Sequence, residues 1–267
     1  MEFLVLTKKW LSEPYGPKYD KFLKIINKGY SKNLFKYKII KTHRIKTSMS
    51  ILDNFKVLEH DDFCILILLG PEKQFEKLKN DRNYSRTFET PYDSWEGSID
   101  CIIPDEYVPQ LSFDTDSKVK MTYYNSDEQL TPSQVNRIIG TVGFKSYDGD
   151  LKSSDPAIKD LEVTALTSFM KRAAPTMLDL AIKHLLKREN ELIADFSGLS
   201  SIVLQVDCIK EHNLVPYYVN CCSFIPAEKE DTFIDVHSAG SSGIFEDNLE
   251  AYKDFHISYL YRIVDLP

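Results

Sequence analysis

The stretch that decides the fold runs from Leu161 to Val206. It opens with Leu161-Glu162-Val163-Thr164-Ala165-Leu166-Thr167-Ser168-Phe169, in which Val163, Ala165, Thr167 and Phe169 alternate with Glu162, Thr164, Leu166 and Ser168. A period of two marks a strand with two different faces. From Ala174 to Lys187 the period changes. Met177, Leu178, Ala181, Ile182, Leu185 and Leu186 fall in one helical stripe, with Asp179, Lys183, His184 and Lys187 outside it. Pro175 stands near the helix start, where its missing N–H does least harm. The following run, Ile202-Val203-Leu204-Gln205-Val206, is nearly all apolar, as expected of a strand buried on both faces. Strand, helix and strand in this order predict a right-handed crossover between parallel neighbours, and so an α/β fold.

Outward from this unit the pattern continues. Ile138–Phe144 predicts a preceding strand with small residues (Gly140, Gly143) where another backbone comes close. Phe3–Leu6 and Phe63–Leu69 predict two further strands, the second stopped by Gly70-Pro71. Helices are expected over Lys18–Tyr30, Ser48–Leu58 and Leu214–Cys222, and a closing strand over Phe255–Ile263, after the polar loop Ala239–Asn248. Between Glu72 and Asn136 the periodicity loosens, with short strands expected only at Asp100–Ile103 and Val119–Tyr124. We read 72–136 as an insertion within a single domain spanning 1–267.

Composition excludes several classes. The 267 residues are 43% hydrophobic and 27% charged, ordinary for a globular protein and well away from disorder. A net charge of −7 argues against nucleic acid or an anionic membrane as partner, and the many lysines of the first fifty residues read as solvated faces. The cysteines at 64, 101, 208, 221 and 222 make no metal-binding spacing, so no metal is expected. Their odd count, and the lack of a leader or a spanning apolar run, point to the cytoplasm or nucleus, with the chain a monomer or homodimer.

Two segments resemble the GNAT superfamily of N-acetyltransferases. One is Leu161–Phe169 running through Met170-Lys171-Arg172-Ala173-Ala174-Pro175-Thr176 into the helix. The other is Glu211-His212-Asn213-Leu214-Val215-Pro216-Tyr217-Tyr218 leading to Ser223-Phe224. The resemblance implies a mixed central sheet with splayed parallel strands, helices on both faces and an acyl-CoA-binding core over 138–263. It further implies acetyl-CoA as co-substrate, gripped by Leu166, Ser168, Lys171, Arg172, Ala173, Ala174, Thr176 and Asn213. A pyrophosphate suits a helix N-terminus, where unpaired N–H groups and the helix dipole converge. The glycines usual in that loop are replaced by Arg172 and Ala174. Either Lys171 and Arg172 supply charge through their side chains, or the loop no longer takes the cofactor.

By the same resemblance Glu162 is the expected base and Tyr218 the expected acid, with Tyr217 as its alternate. Each has a plainer reading: a solvated strand-end carboxylate for Glu162, a packing ring for the tyrosine, a helix cap for Asn213. His212 and His256 fall near the same place without forming a dyad. The implied activity is direct acyl transfer to an amine, either a small molecule or a protein side chain. The acidic segment Glu228–Glu250 would suit such a cation. The alternative is a catalytically inactive protein of that fold serving as a ligand- or partner-binding module.

Overall fold

A computed structural model describes residues 1–14, 16–79, 101–111, 118–186, 198–237 and 250–266. Its strands are β1 (Glu2–Thr7), β2 (Phe63–Leu69), β3 (Lys120–Tyr124), β4 (Ile138–Ser146), β5 (Ile158–Ser168), β6 (Ser201–Ile209), β7 (Ile225–Pro226), β8 (Thr232–Ile234) and β9 (Phe255–Asp265). They form one mixed sheet in the order β3-β1-β2-β4-β5-β6-β9-β7, with β8 also on β9. The β1–β3 and β5–β6 pairs are parallel and the others antiparallel. The α/β class read from Leu161–Val206 is therefore found, with the crossover joining parallel neighbours.

The helices used below are α1 (Lys8–Ser12), α2 (Lys18–Tyr37), α3 (Ile51–Asn54), α4 (Glu72–Lys79), α5 (Pro132–Asn136), α6 (Ala173–Ala181) and α7 (Val215–Cys222). Phe22, Leu23, Ile25 and Ile26 of α2 pack in one core with Leu4, Leu6, Ile65 and Ile67. Met177, Leu178 and Ala181 of α6 pack in another with Val5, Leu66, Leu204 and Val206. Successive residues of β1 and β2 thus divide between the two cores, as the strand pleat requires. That is why β2 is buried at all seven positions and reads as an unbroken apolar run.

Several expectations are corrected. The first helix does not stop at Tyr30 but runs to Tyr37, where Lys38 closes it in the left-handed conformation (φ 50°). Gly29 inside it is a contact residue: a Cβ there would lie 2.5 Å from Thr167 Cβ, so the missing side chain lets α2 press onto β5. The helix expected over Ser48–Leu58 shrinks to Ile51–Asn54, capped by Ser50 Oγ, which accepts from Asp53 N–H at 3.0 Å. Past Ala181 the stripe continues as a π-helical turn over Ile182–Leu186, while Lys187 lies outside the described residues.

In the segment 72–136, Lys120–Tyr124 forms the edge strand β3 as expected. The strand over Asp100–Ile103 does not form in its described part. Cys101 and Ile103 are buried instead in the two cores, and Ile103 N–H donates to Phe169 O at 2.7 Å. The loop Ala239–Asn248 lies outside the described residues.

Strand β5 departs from simple alternation. Opposite β4 its register slips between Thr141 and Gly143, which face Thr167 and Thr164. The extra residue is absorbed at Ala165, held at φ 48°. A bulge moves every later side chain to the other face. So Ala165 and Phe169 share the α2-side core, whereas Val163 falls in the α6-side core and not with them as the alternation predicts.

Beside this bulge the sheet opens. β5 pairs with β6 only from Ile158 opposite Ser201 to Glu162 opposite Gln205, although β5 continues to Ser168 and β6 to Ile209.

Candidate functional site

The opening between β5 and β6 leads into a cleft of about 450 Å³, within the size range of small-molecule sites. Its walls come from the parted ends of β5 and β6, the C-terminal half of α2, Ile40 and Thr42 to Arg44, Lys145 of β4 with Tyr147 to Gly149 after it, and Ile257 and Tyr259 of β9. Tyr218 of α7, Leu214 and His212 also line it.

Glu162 is the last residue of β5 paired with β6 and faces Lys145 across the antiparallel β4 ladder. That register sets their ion pair, with Lys145 Nζ 2.9 Å from Glu162 Oε2. The Lys145 ammonium also donates to Phe55 O at 3.0 Å and is nearly enclosed. Beneath the pair, Gln205 Nε2 donates to the buried Asp160 carboxylate at 3.1 Å, and Asp160 accepts from Ser153 N–H at 2.8 Å.

Asp207 stands two residues beyond Gln205, on the same face of the sheet as Glu162. Its carboxyl opens into the cleft, and among the described residues none hydrogen-bonds or ion-pairs with it. The crowding walls push its pKa up to about 7, and the charge of Glu162 pushes the same way; Lys229 and Lys145 pull against them. Tyr147 lies alongside, its ring over Gly149, where a Cβ would come 2.5 Å from Tyr147 Cζ. Burial, and then the charge of Asp207, raise its hydroxyl well above the usual tyrosine range.

The opposite wall is held by two buried asparagines. Asn27 on α2 donates to Ile45 O at 3.0 Å and accepts from Ile45 N–H at 2.8 Å. Asn54 accepts from Lys46 N–H at 2.8 Å and donates to Lys46 O at 3.0 Å. The chain so fixed presents Arg44, which donates to Asn54 O (3.0 Å) and Thr164 Oγ1 (3.3 Å) and stacks on Phe55 with its guanidinium carbon 4.3 Å from the ring centre. Main-chain bonds from Lys41 to Glu250 and from Tyr252 to Ile39 tie the same segment to the chain entering β9.

Of the residues expected from sequence, Glu162, Leu166 and Tyr218 line this cleft. Tyr218 is buried, with its ring 5.4 Å from Phe224, and burial raises its pKa well above the usual value. Ser168, Lys171, Arg172, Ala173, Ala174, Thr176 and Asn213 are not among the lining residues. Ser168 Oγ donates to Met170 O at 2.6 Å. Lys171 pairs with Asp105 in solvent at 2.6 Å. Arg172 precedes α6 in the left-handed conformation (φ 63°), while Ala173 and Ala174 are packed in the core. Asn213 also adopts the left-handed conformation (φ 55°) and closes the turn Lys210–His212.

His212 lines the cleft, whereas His256 pairs outside it with Glu211 at 2.8 Å. Sequence reasoning missed Asp207, Lys145 and Arg44. A signal for Asp207 was present: it is the one carboxylate in the otherwise uncharged run Ile202–Ile209. No group of acidic, His or Cys side chains suited to a metal exists among the described residues. No helix there is long and apolar enough to cross a membrane.

Residues 1–264 match the family described as sporulation protein RMD6, and the chain belongs to that family. No curated protein and no solved structure matches the chain. The match corrects the resemblance read from Leu161–Leu186 and Glu211–Phe224: the family spanning the chain is not a GNAT family. The N-acyltransferase function, the inactive alternative on the same fold and the transferase label fall with it. The physical reason is that strand, loop and striped helix are what any helical crossover on a sheet requires, whatever its chemistry.

Proposed function

We propose that this member of the RMD6 family binds a small organic cation, an amine or guanidinium, in the cleft where β5 and β6 part. The observation that carries the reading is the Asp207 carboxyl, which lines the cleft near Glu162 with no hydrogen-bond or ion-pair partner among the described residues. A carboxylate in a concave site, next to a second one, favours a cation. Glu162 is already held by Lys145, so its oxygens are fixed in place to share the same charge. Aromatic and aliphatic lining (Tyr147, Val206, Ile257, Tyr259) would cover the carbon skeleton. A carboxyl titrating near neutrality also suits proton exchange with the bound ligand.

The test is calorimetric titration with straight-chain amines and alkylguanidines. A cation favours ionised Asp207, so binding near neutral pH should release part of a proton and tighten as pH rises through about 7. Asp207→Asn should abolish the proton release and weaken binding at least tenfold. Binding unchanged in Asp207→Asn, or no binding by any such cation, would overturn the reading.

A further inference from the structure

Directly opposite Asp207 in the β6–β9 ladder stands Tyr259. Side chains of such partners leave the same face of a sheet, with Cβ atoms about 5 Å apart. Over the Tyr259 ring, 4.1 Å from its centre, lies the ammonium of Lys229. The tyrosine is fixed there, its hydroxyl 2.7 Å from Thr232 Oγ1 and its carbonyl accepting from Ala227 N–H at 2.9 Å. Lys229 sits between β7 and β8 and reaches Asp150, on the loop after β4, with Nζ 2.8 Å from Oδ2. The hydrogen bond to Asp150 raises the lysine's pKa, against the pull of burial, so the ammonium stays charged at neutral pH.

The acids of the cleft are therefore flanked by fixed positive charge. Lys145 pairs with Glu162 at 2.9 Å. Arg44 donates to Thr164, two residues past Glu162 on the same strand. Lys229 stands on the β9 side, and its charge is felt at Asp207. Asp148, the remaining acid of the lining, is exposed to water, where a second ammonium gains little. Like charges brought together reject a ligand more sharply than a missing attraction does. Resting on the cation reading above, we infer that Lys229 determines specificity: its ammonium, held on the ring opposite Asp207, makes the cleft prefer ligands with one positive charge over those with two. The favoured class is a monoamine or monoguanidine, and short diamines and polyamines are turned away.

The experiment compares n-alkylamines with α,ω-diaminoalkanes of equal chain length, both amines protonated at neutral pH, by calorimetry on the full chain in low salt. The shorter diamines should bind about tenfold more weakly than their monoamines, as expected of a second charge held close to Lys229. The gap should narrow as the spacer lengthens or salt is added. Lys229→Met should close most of it by tightening the diamines more than the monoamines, whose continued binding reports an intact fold. Lys229→Arg keeps the charge and should keep the preference. Equal affinity of monoamine and diamine at every length would overturn this inference alone. So would a gap that survives in Lys229→Met or vanishes in Lys229→Arg. Failure of every amine to bind would overturn the cation reading and this inference with it.

Discussion

Glu162 and Asp207 mark the two lips of the opening in the sheet. Glu162 ends the pairing of β5 with β6, and Asp207 lies two residues past its partner Gln205 on β6. Because β5 and β6 separate from that point, two acidic side chains on neighbouring strands line a cavity without a ladder closing over them. One carboxylate is neutralised by Lys145, while the other is left to titrate near neutrality.

This fixes the sign of one pH effect. Asp207 moves from an unfolded value of 3.8 to about 7 in the fold, so the folded state holds its proton more tightly. Its stabilising contribution is complete below the unfolded value and is lost as pH rises from there through about 7. Asp207→Asn should therefore flatten the decline in thermal stability across that window. The variant should melt higher than wild type above neutral pH, and thermal melts in a buffer series check this.

Lys145 gives a second expectation. Its ammonium is nearly enclosed and satisfies both Glu162 and Phe55 O. Lys145→Met leaves both oxygens without it, and the loss should be about 2–3 kcal/mol, since Glu162 retains some contact with water. The double variant Lys145→Met with Glu162→Leu should recover more than half of that loss. Urea denaturation of the three variants measures it.

Gly29 is where α2 meets β5. Gly29→Ala places a methyl 2.5 Å from Thr167 Cβ, and displacing the helix should cost about 1–3 kcal/mol despite alanine's better helix propensity. A variant as stable as wild type in chemical denaturation would refute the close approach.

Arg172 should behave in the opposite way. It is held at φ 63° before α6, with no hydrogen bond capping the helix from its side chain. A left-handed backbone costs a non-glycine residue about 1–2 kcal/mol, so Arg172→Gly should stabilise by about 0.5–1 kcal/mol after the entropy of the unfolded glycine is counted. Denaturant midpoints with unchanged slopes would show it.

The sheet was largely legible because its strands are buried runs cut by strong punctuation. Phe63–Leu69 ends on Gly70-Pro71 and appears with those bounds. The bulge was not legible, since Glu162–Phe169 alternates without a break and only the backbone of Ala165 records the slip. The site was harder still. Arg44 and the rim around it are placed by Asn27 and Asn54, through hydrogen bonds that depend on tertiary packing and leave no periodic trace. The segment Leu161–Leu186 was read correctly as architecture but over-read as chemistry, because a packed crossover and a cofactor loop share the same apolar pattern.

The split in the sheet also orders the assembly of the molecule in time. Strands β3, β1, β2, β4 and β5 all come from residues before 169, and β6 to β9 all follow residue 200. The two groups are stitched by the five residue pairs from Ile158–Ser201 to Glu162–Gln205. As the chain leaves the ribosome, the first group can pair completely before β6 has been made. The cleft has no second wall until β6 and β9 arrive, so the proposed ligand site takes shape only after the larger part of the sheet has formed.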